Sequence, residues 1–310
     1  MDKVLIIAGP TASGKTKISI ELAKKINGEI ISADSMQVYK YMNIGTAKPD
    51  EEERGGIKHY LIDEVNPDEE FSVAKYKDLA VKYIKEVINK GKMPIVVGGT
   101  GLYINSLVYN INFTETICDR ELRNKLKKEA EVYGNKYIHD KLKEVDPEAA
   151  KRIHVNDTKR IIRAIEVYEH TKSPISYHQE VSRNEPPEFE FIITALRVDR
   201  AILYERINKR VDDMFAKGLI DEVKKLVSMG YGRNNTSMQA IGYKEILSYL
   251  EGNISLDEAI YIIKRDTRHY AKRQYTWFKR LEGIKWIDID ETTRVEDIVN
   301  LYECMLQQLA

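Results

Sequence analysis

Eight residues near the start of the chain, "GPTASGKT", constrain the fold more than any other stretch. They fit the pattern G-x-x-x-x-G-K-[ST], and their flanks agree with it. "VLIIAG" before them is short, apolar and ends in glycine, as a buried strand does. "TKISIELAKKINGE" after them repeats Ile18, Leu22 and Ile26 at i+4, as a helix does, with Gly28 placed to stop it. Glycines here let backbone N–H groups turn inward around a phosphate. Lys15 adds a point charge, and the Thr16 hydroxyl can ligate Mg²⁺. Gly9, Pro10, Thr11, Ala12, Ser13, Gly14, Lys15 and Thr16 are therefore expected to form a di- or triphosphate site. ATP is the default occupant, but such a loop does not read what its phosphates are attached to.

The loop belongs to a larger rhythm. "EIISADS", "HYLIDEV" and "MPIVVGG" read as further strands. "SVAKYKDLAVKYIKEVINKGK" reads as a helix, with Val73, Ala80, Ile84 and Val87 on one side and Gly91 at its end. Strands alternating with helices predict an α/β fold with a parallel sheet. The alternation breaks near Thr114, and from Asp119 to about His170 the chain is helical and highly charged. "SRNEPPEFE" reads as a linker, since Pro186 and Pro187 cannot continue a helix, and "FIITALRV" returns as a strand. The expectation is a P-loop NTPase-like parallel sheet core flanked by helices, residues 1–115 and 186–310, with an all-helical insertion at 116–185. A length of 310 residues suits that division, because single cores stop growing near ~250–300 residues. Beyond the last of these strands the sequence reads mostly as helix.

Forty-nine basic side chains balance forty-nine acidic ones, so no global field draws the protein to nucleic acid. Any basic surface must be local, and one is. Lys264 to Arg280 carries seven Lys or Arg and one acid, Asp266. Ile263, Tyr270 and Trp277 recur at i+7 and are expected to face the core, leaving Arg268, Lys272 and Arg273 outward. That is the footprint of a helix on an RNA backbone, although a solvated helix has the same look. Two cysteines, Cys118 and Cys304, lie far apart without metal-ligand spacing. They argue for a reducing compartment and against a disulfide framework or a zinc module. The N-terminal apolar run, Val4 to Ala8, is too short for a signal peptide or a membrane span. A cytoplasmic protein without a membrane partner is expected.

Asp34 follows the second strand, on the sheet edge where open α/β folds bind ligands, so it is expected to face the same crevice as Lys15. Its duty is open: a metal, a sugar hydroxyl, a proton, or merely a turn. "VVGGTGLY" places Gly98, Gly99, Thr100 and Gly101 on the same edge. Motor-type ATPases put an acid there to hold Mg²⁺ and poise water. Thr100 takes that place here, which weakens a hydrolase reading. A small-metabolite kinase using ATP stays possible, and stimulation of ATP consumption by a small alcohol would favour it. A non-catalytic RNA-binding switch driven by nucleotide is a third reading.

"GPTASGKT", "DSMQVYKYMNIGTAKP", "VGGTGLY", "QAIGYKE" and "RQYTWF" follow one another in this order. Together they resemble the bacterial tRNA dimethylallyltransferases, also called tRNA isopentenyltransferases, over nearly the whole chain. The resemblance implies a phosphate loop that binds dimethylallyl diphosphate rather than ATP. It implies transfer of the dimethylallyl group to the exocyclic amine of the adenosine 3′ to the anticodon. Asp34 would then be the general base, Thr100 would touch the reacting site, and Mg²⁺ would serve the diphosphate. Arg210, in "INKRVDDMFAKGL", either reaches the diphosphate or is a solvated helix charge. The family's tRNA-contacting positions match Asp34, Ser35, Met36 and Gln37, then Lys159, Arg160, Ile161, Ile162 and Arg163, and also Arg123 and Thr100. Arg160 and Arg163, three apart, share a helix face. From the residues alone "KRIIR" fits an amphipathic surface helix equally well. The zinc-finger extension of eukaryotic members is absent, so no zinc is expected, and the protein is expected to act as a monomer on the anticodon stem–loop of tRNA.

Overall fold

The computed structural model describes residues 1–111, 119–183 and 186–308. Cys118, and Asn184 and Glu185 of the expected linker, lie outside the described residues. The chain divides into two compact units, Met1–Asn105 with Phe189–Ala310, and Ser106–Glu188.

The first unit holds six strands among the described residues: β1 (Lys3–Ala8), β2 (Gly28–Ser32), β3 (His59–Tyr60), β4 (Met93–Gly98), β5 (Glu190–Val198) and β6 (Lys285–Ile289). They form one parallel sheet in the order β3-β2-β4-β1-β5-β6. Val4 to Ala8 and Ile95 and Val96 are fully buried, because both faces of the central strands are covered. This is why they read as unbroken apolar runs. One core cluster packs the sheet against the helices Lys15–Lys25, Arg200–Ala216 and Val295–Gln307. A second gathers the helices Leu219–Ser228, Tyr243–Leu250 and Leu256–Phe278 around Val38, Tyr39 and Met42.

Four local readings change. Helix Lys15–Lys25 ends at Ile26, and Asn27 turns the chain at φ 53°. Gly28 already belongs to β2, where a side chain would meet Ile95 at 2.8 Å. Helix Val73–Asn89 buries Tyr76 with Ala80, Ile84 and Val87, and leaves Val73 half-buried. The strand β6, "KWIDI", lies in the stretch read as mostly helix. It pairs only with β5 and buries Ile287 and Ile289, while Asp288 pairs outside with Arg197. Finally, the long helix buries Ala259, Ile263, Ala271, Gln274 and Phe278. A straight helix drifts off a seven-residue repeat, so Tyr270 and Trp277 fall beside the core stripe rather than on it.

The second unit contains the 116–185 stretch and no strand among the described residues. Its helices are Arg120–Tyr133, Asn135–Val145, Pro147–Arg152, Thr158–Thr171 and Ile175–Arg183. Asp119, Asp146 and Asp157 cap three of them by accepting backbone N–H bonds, which satisfies donors the helix leaves open. Leu126, Ile138, Leu142, Ile161 and Ile165 form its core. Among the described residues no helix is long and apolar enough to cross a membrane.

Candidate active site

The first unit encloses a cavity of about 740 Å³ lined by Thr11 to Thr16, by Asp34 to Gln37, and by Gly98 and Gly99. These are the segments that follow β1, β2 and β4, at the carboxyl edge where such sheets bind ligands. Gly9 and Pro10, the first two residues of the predicted loop, are buried. Ala12 and Gly14 adopt left-handed backbone angles, φ 61° and 91°, which fold the loop around its own N–H groups. Lys15 donates to the Pro10 carbonyl at 2.7 Å. Burial, reinforced by the Arg210 charge, pushes its ammonium down to about 7, although Asp34 opposes the shift. Thr16 is exposed to the cavity, and the Ser13 hydroxyl is buried with no hydrogen-bond partner among the described residues.

Asp34 accepts backbone N–H bonds from Met36 (2.8 Å) and Gln37 (3.2 Å), both on Oδ1. The turn role and the cavity role therefore coexist, because Oδ2 has no partner among the described residues. Thr100 Oγ1 accepts from Ser35 N at 3.1 Å, and Thr100 N donates to Ala33 O, so the β4 glycine segment fixes the stretch on either side of Asp34. Gly98 is obligatory there, since a side chain would collide with the Ala33 backbone. The Gln37 carboxamide does not hang free. Its Nε2 donates to the carbonyls of Thr46 and Ala47, each at 3.3 Å.

Helix Arg200–Ala216 supplies the far wall. Arg206 and Arg210, four apart, line the cavity together with Ile207, Val211 and Met214 of the same helix. Arg210 thus faces the cavity rather than open solvent. Burial lowers its pKa, while Asp34 and Glu53 act in the opposite sense. Ala240, Ile241 and Ile263 extend the apolar lining.

Several residues line or brace the cavity that the sequence did not mark as part of it, Tyr270 among them, which was expected in the core. Gln274 is buried and bridges two loops: Oε1 accepts from Thr11 N and Nε2 donates to Gly99 O, both at 2.9 Å. Tyr270 lines the cavity, where burial raises its pKa to about 12 and Asp34 adds to the shift. Arg206 stands at the i−4 position from Arg210, a spacing that could have flagged it. For Gln274 the signal was its place in "RQYTWF".

A sequence model described as IPP transferase matches residues 37–281. The chain belongs to the IPP transferase family. A tRNA dimethylallyltransferase of Acetivibrio thermocellus is 66% identical to it over 299 residues, 96% of either chain. One of Clostridioides difficile is 53% identical over 297 residues, 96% of this chain and 95% of that one. The crystal structure of a full-length tRNA isopentenylpyrophosphate transferase from Bacillus halodurans shares 44% identity, covers 99% of this chain and 98% of its own, and superposes with a TM-score of 0.74. A eukaryotic dimethylallyltransferase acting on tRNA shares 32% identity over 99% of this chain and 80% of its own, with a TM-score of 0.84. The chain is therefore a transferase that prenylates tRNA.

The remaining positions that an IPP transferase would turn toward RNA fare unequally. On the long helix, Lys272 and Arg273 are exposed, and Arg273 lines the cavity. Arg268 is instead bonded to Asn208 Oδ1 at 2.6 Å, while Lys264 and Arg265 pair with Asp212 and Asp266. Part of the basic stripe is thus neutralised within its own unit. In the second unit, Ile161 and Ile162 are buried and their side chains anchor the helix in its core. Arg123 and Arg163 both bind the fully buried Glu166, at 2.7 and 2.6 Å. Burial alone would raise the Glu166 pKa, but the hydrogen bonds from the two arginines bring it below the usual value. Lys159 and Arg160 are exposed, Arg160 with a loose pairing to Asp157 at 3.3 Å.

Proposed function

We propose that the cavity binds dimethylallyl diphosphate on the phosphate loop and receives the adenosine 3′ to the anticodon, Asp34 acting as general base. The observation that carries this reading is a carboxylate with one unpartnered oxygen facing the same cavity as Lys15, Arg210 and an apolar wall. The diphosphate meets the loop N–H groups, Lys15 and Arg210. The hydrocarbon meets Ile207, Val211 and Met214.

In the transfer, the adenine N6 lone pair forms a bond to C1 of the dimethylallyl group. The C1–O bond breaks, and diphosphate leaves with the electron pair. The amine proton passes to Asp34 Oδ2. Adenine N6 is a poor nucleophile because its lone pair is delocalised, so proton removal as the bond forms is worth roughly 10²–10⁴-fold. The positive groups of the loop stabilise the leaving charge. An adenine held in an anticodon loop must leave its stack to arrive here, which costs a few kcal/mol and is cheapest for an unpaired base.

The donor set also fits Mg²⁺. Among the described residues no cluster of three or more His, Cys, Asp or Glu could cage a metal ion. Mg²⁺ is instead commonly held by substrate phosphates, water and one or two protein oxygens, and Thr16 offers such an oxygen. When bound, the ion supplies charge against the diphosphate.

The test is transfer of label from the hydrocarbon of dimethylallyl diphosphate into unmodified tRNA. Label should appear on one loop adenosine. Asp34→Ala should keep donor affinity and lose roughly 10²–10⁴-fold in rate. A variant with near-normal rate would remove Asp34 as the base.

A further inference from the structure

The segment "NIGTAK", Asn43 to Lys48, has no part in the mechanism above, yet it is fastened more heavily than any surface turn needs. Glu222, on helix Leu219–Ser228, accepts backbone N–H bonds from Asn43 (2.9 Å) and Ile44 (2.8 Å) on Oε2. Its Oε1 accepts from Gly45 N (3.1 Å) and from the Tyr243 hydroxyl (2.6 Å). Four donors on one half-buried carboxylate leave it little other business. The Tyr243 ring lies so close on Gly45 that a side chain there would meet it at 2.5 Å. From the other side, the buried Lys48 ammonium holds Tyr39 O (2.8 Å), Asn43 Oδ1 (3.0 Å) and Asp63 (2.6 Å). Ala47 is kept at φ 45°, a left-handed angle that a non-glycine residue adopts only when its surroundings insist.

What this fastening presents is a pair of carbonyls. Thr46 O and Ala47 O take the Gln37 Nε2 group. Carbonyls only accept, so the orientation of the carboxamide follows from its partners. The amide nitrogen is thus turned toward the loop carbonyls, away from Oε1. Among the described residues the remaining oxygen, Oε1, has only a 3.5 Å contact from Ser32 Oγ. Gln37 is thereby made an acceptor, although a free glutamine offers both polarities. An exocyclic amine carries two protons; if Asp34 removes one, an acceptor beside it takes the other. A keto oxygen at the same place would face two acceptors.

We infer that Glu222 is a positioning residue for the transfer: it fixes the 43–48 loop so that the loop carbonyls hold Gln37 as a one-sided acceptor for the amine of the incoming base. The inference rests on the reading that Asp34 and Gln37 meet the acceptor adenine.

The experiment compares binding of two anticodon stem–loop RNAs, one with adenosine at the acceptor position and one with purine riboside, which lacks the amine. It also measures affinity for dimethylallyl diphosphate and the transfer rate. The wild-type enzyme should prefer adenosine by about tenfold or more, the worth of a good hydrogen bond at a built site. Glu222→Ala should shrink that preference to about twofold and lower the rate, with donor affinity unchanged. Tyr243→Phe keeps the ring on Gly45 and removes one donor from Glu222; it should shift the preference in the same direction by a smaller factor. If Glu222→Ala does not fold, Tyr243→Phe decides alone. Gln37→Ala separates the two layers of the argument. If it loses the preference while the Glu222 and Tyr243 variants keep it, the clamp has no role in base selection. If Gln37→Ala keeps the preference as well, Gln37 does not read the amine, and both the inference and its footing fall. Parallel loss of donor affinity in the Glu222 variant would mean a merely structural residue and also overturn the inference.

Discussion

Lys15 has an ammonium pushed from 10.5 to about 7, and it stands where the proposed diphosphate would sit. Burial is the main cause and the Arg210 charge the second. In the free enzyme about half of Lys15 is charged at pH 7, about one in eleven at pH 8 and about one in a hundred at pH 9. A bound diphosphate reverses the environment, since it brings negative charge between two cations and restores the protonated form. Donor binding above pH 7 must therefore take up a proton. The affinity for dimethylallyl diphosphate should fall about fifty-fold between pH 7 and pH 9. The donor's own last ionisation, near 6 for a phosphate monoester, does not mask this window. Calorimetric titration without RNA, in two buffers of different ionisation heat, reads both the affinity and the proton. Lys15→Met should bind weakly and without the slope. An affinity constant within twofold from pH 7 to 9, with no proton uptake, would refute the reasoning.

The same shift has a folding consequence of fixed sign. The unfolded chain holds the Lys15 proton up to about 10.5 and the folded chain only to about 7. Between those values the unfolded state binds more protons, so this lysine's contribution to stability improves as pH rises from 7 and is at its worst below 7. Saturating donor should flatten the trend, because the complex keeps the proton.

Other perturbations separate packing from chemistry. Gly98→Ala drives a side chain into the Ala33 backbone, next to Asp34. Over-packing costs about 1–3 kcal/mol, and here the displaced Ala33 atoms adjoin the proposed base, so transfer should fall by more than thermal stability predicts. Gln274→Ala strands Thr11 N and Gly99 O and should cost about 1–3 kcal/mol in denaturant melts, with weaker donor binding. Arg163→Ala removes one partner of buried Glu166 and should destabilise the enzyme by about 1–3 kcal/mol, whereas Arg160→Ala should leave the melt within about 0.5 kcal/mol. Arg160→Ala should instead reduce the slope of log tRNA affinity against log salt by about 1. Equal melts for the two arginine variants would refute the distinction.

The parts of the site that were legible in the sequence are those whose cause is local. Gly9 to Thr16 announce themselves because strand, turn and helix must follow one another for the loop to work. Asp34 is legible because a strand end in a parallel sheet points to one edge. Readings failed where the cause is distant or the repeat imperfect. "KWIDI" is short, joins only an edge, and carries a lysine and an acid outward, so nothing in its own composition outweighs the helices around it. Tyr270 and Trp277 satisfied a seven-residue repeat that the helix does not keep. The pairing of Arg123 and Arg163 was not legible because their partner, Glu166, was one more acid among many in a charge-rich stretch.

The same distinction explains why the two long-range organisers of the cavity escaped notice. Gln274 serves Thr11 from 263 residues away, and Glu222 serves Asn43 to Gly45 from 177 to 179 residues away. Glu222 has no type or spacing that calls for attention, and Gln274 only its place in "RQYTWF"; each acquires its role by satisfying backbone groups that a loop leaves open. Such groups are unavoidable, because a chain that wraps a ligand gives up its own ladder of hydrogen bonds. Each loop around this cavity must therefore find a polar partner elsewhere in the fold. The side chains that answer, a glutamine on the long helix and a glutamate on the helix Leu219–Ser228, tie core packing to the phosphate loop in the first case and, on the inference above, to base selection in the second. A substitution there should register in both a melt and a specificity ratio, whereas one on the exposed basic stripe should register only in the salt dependence.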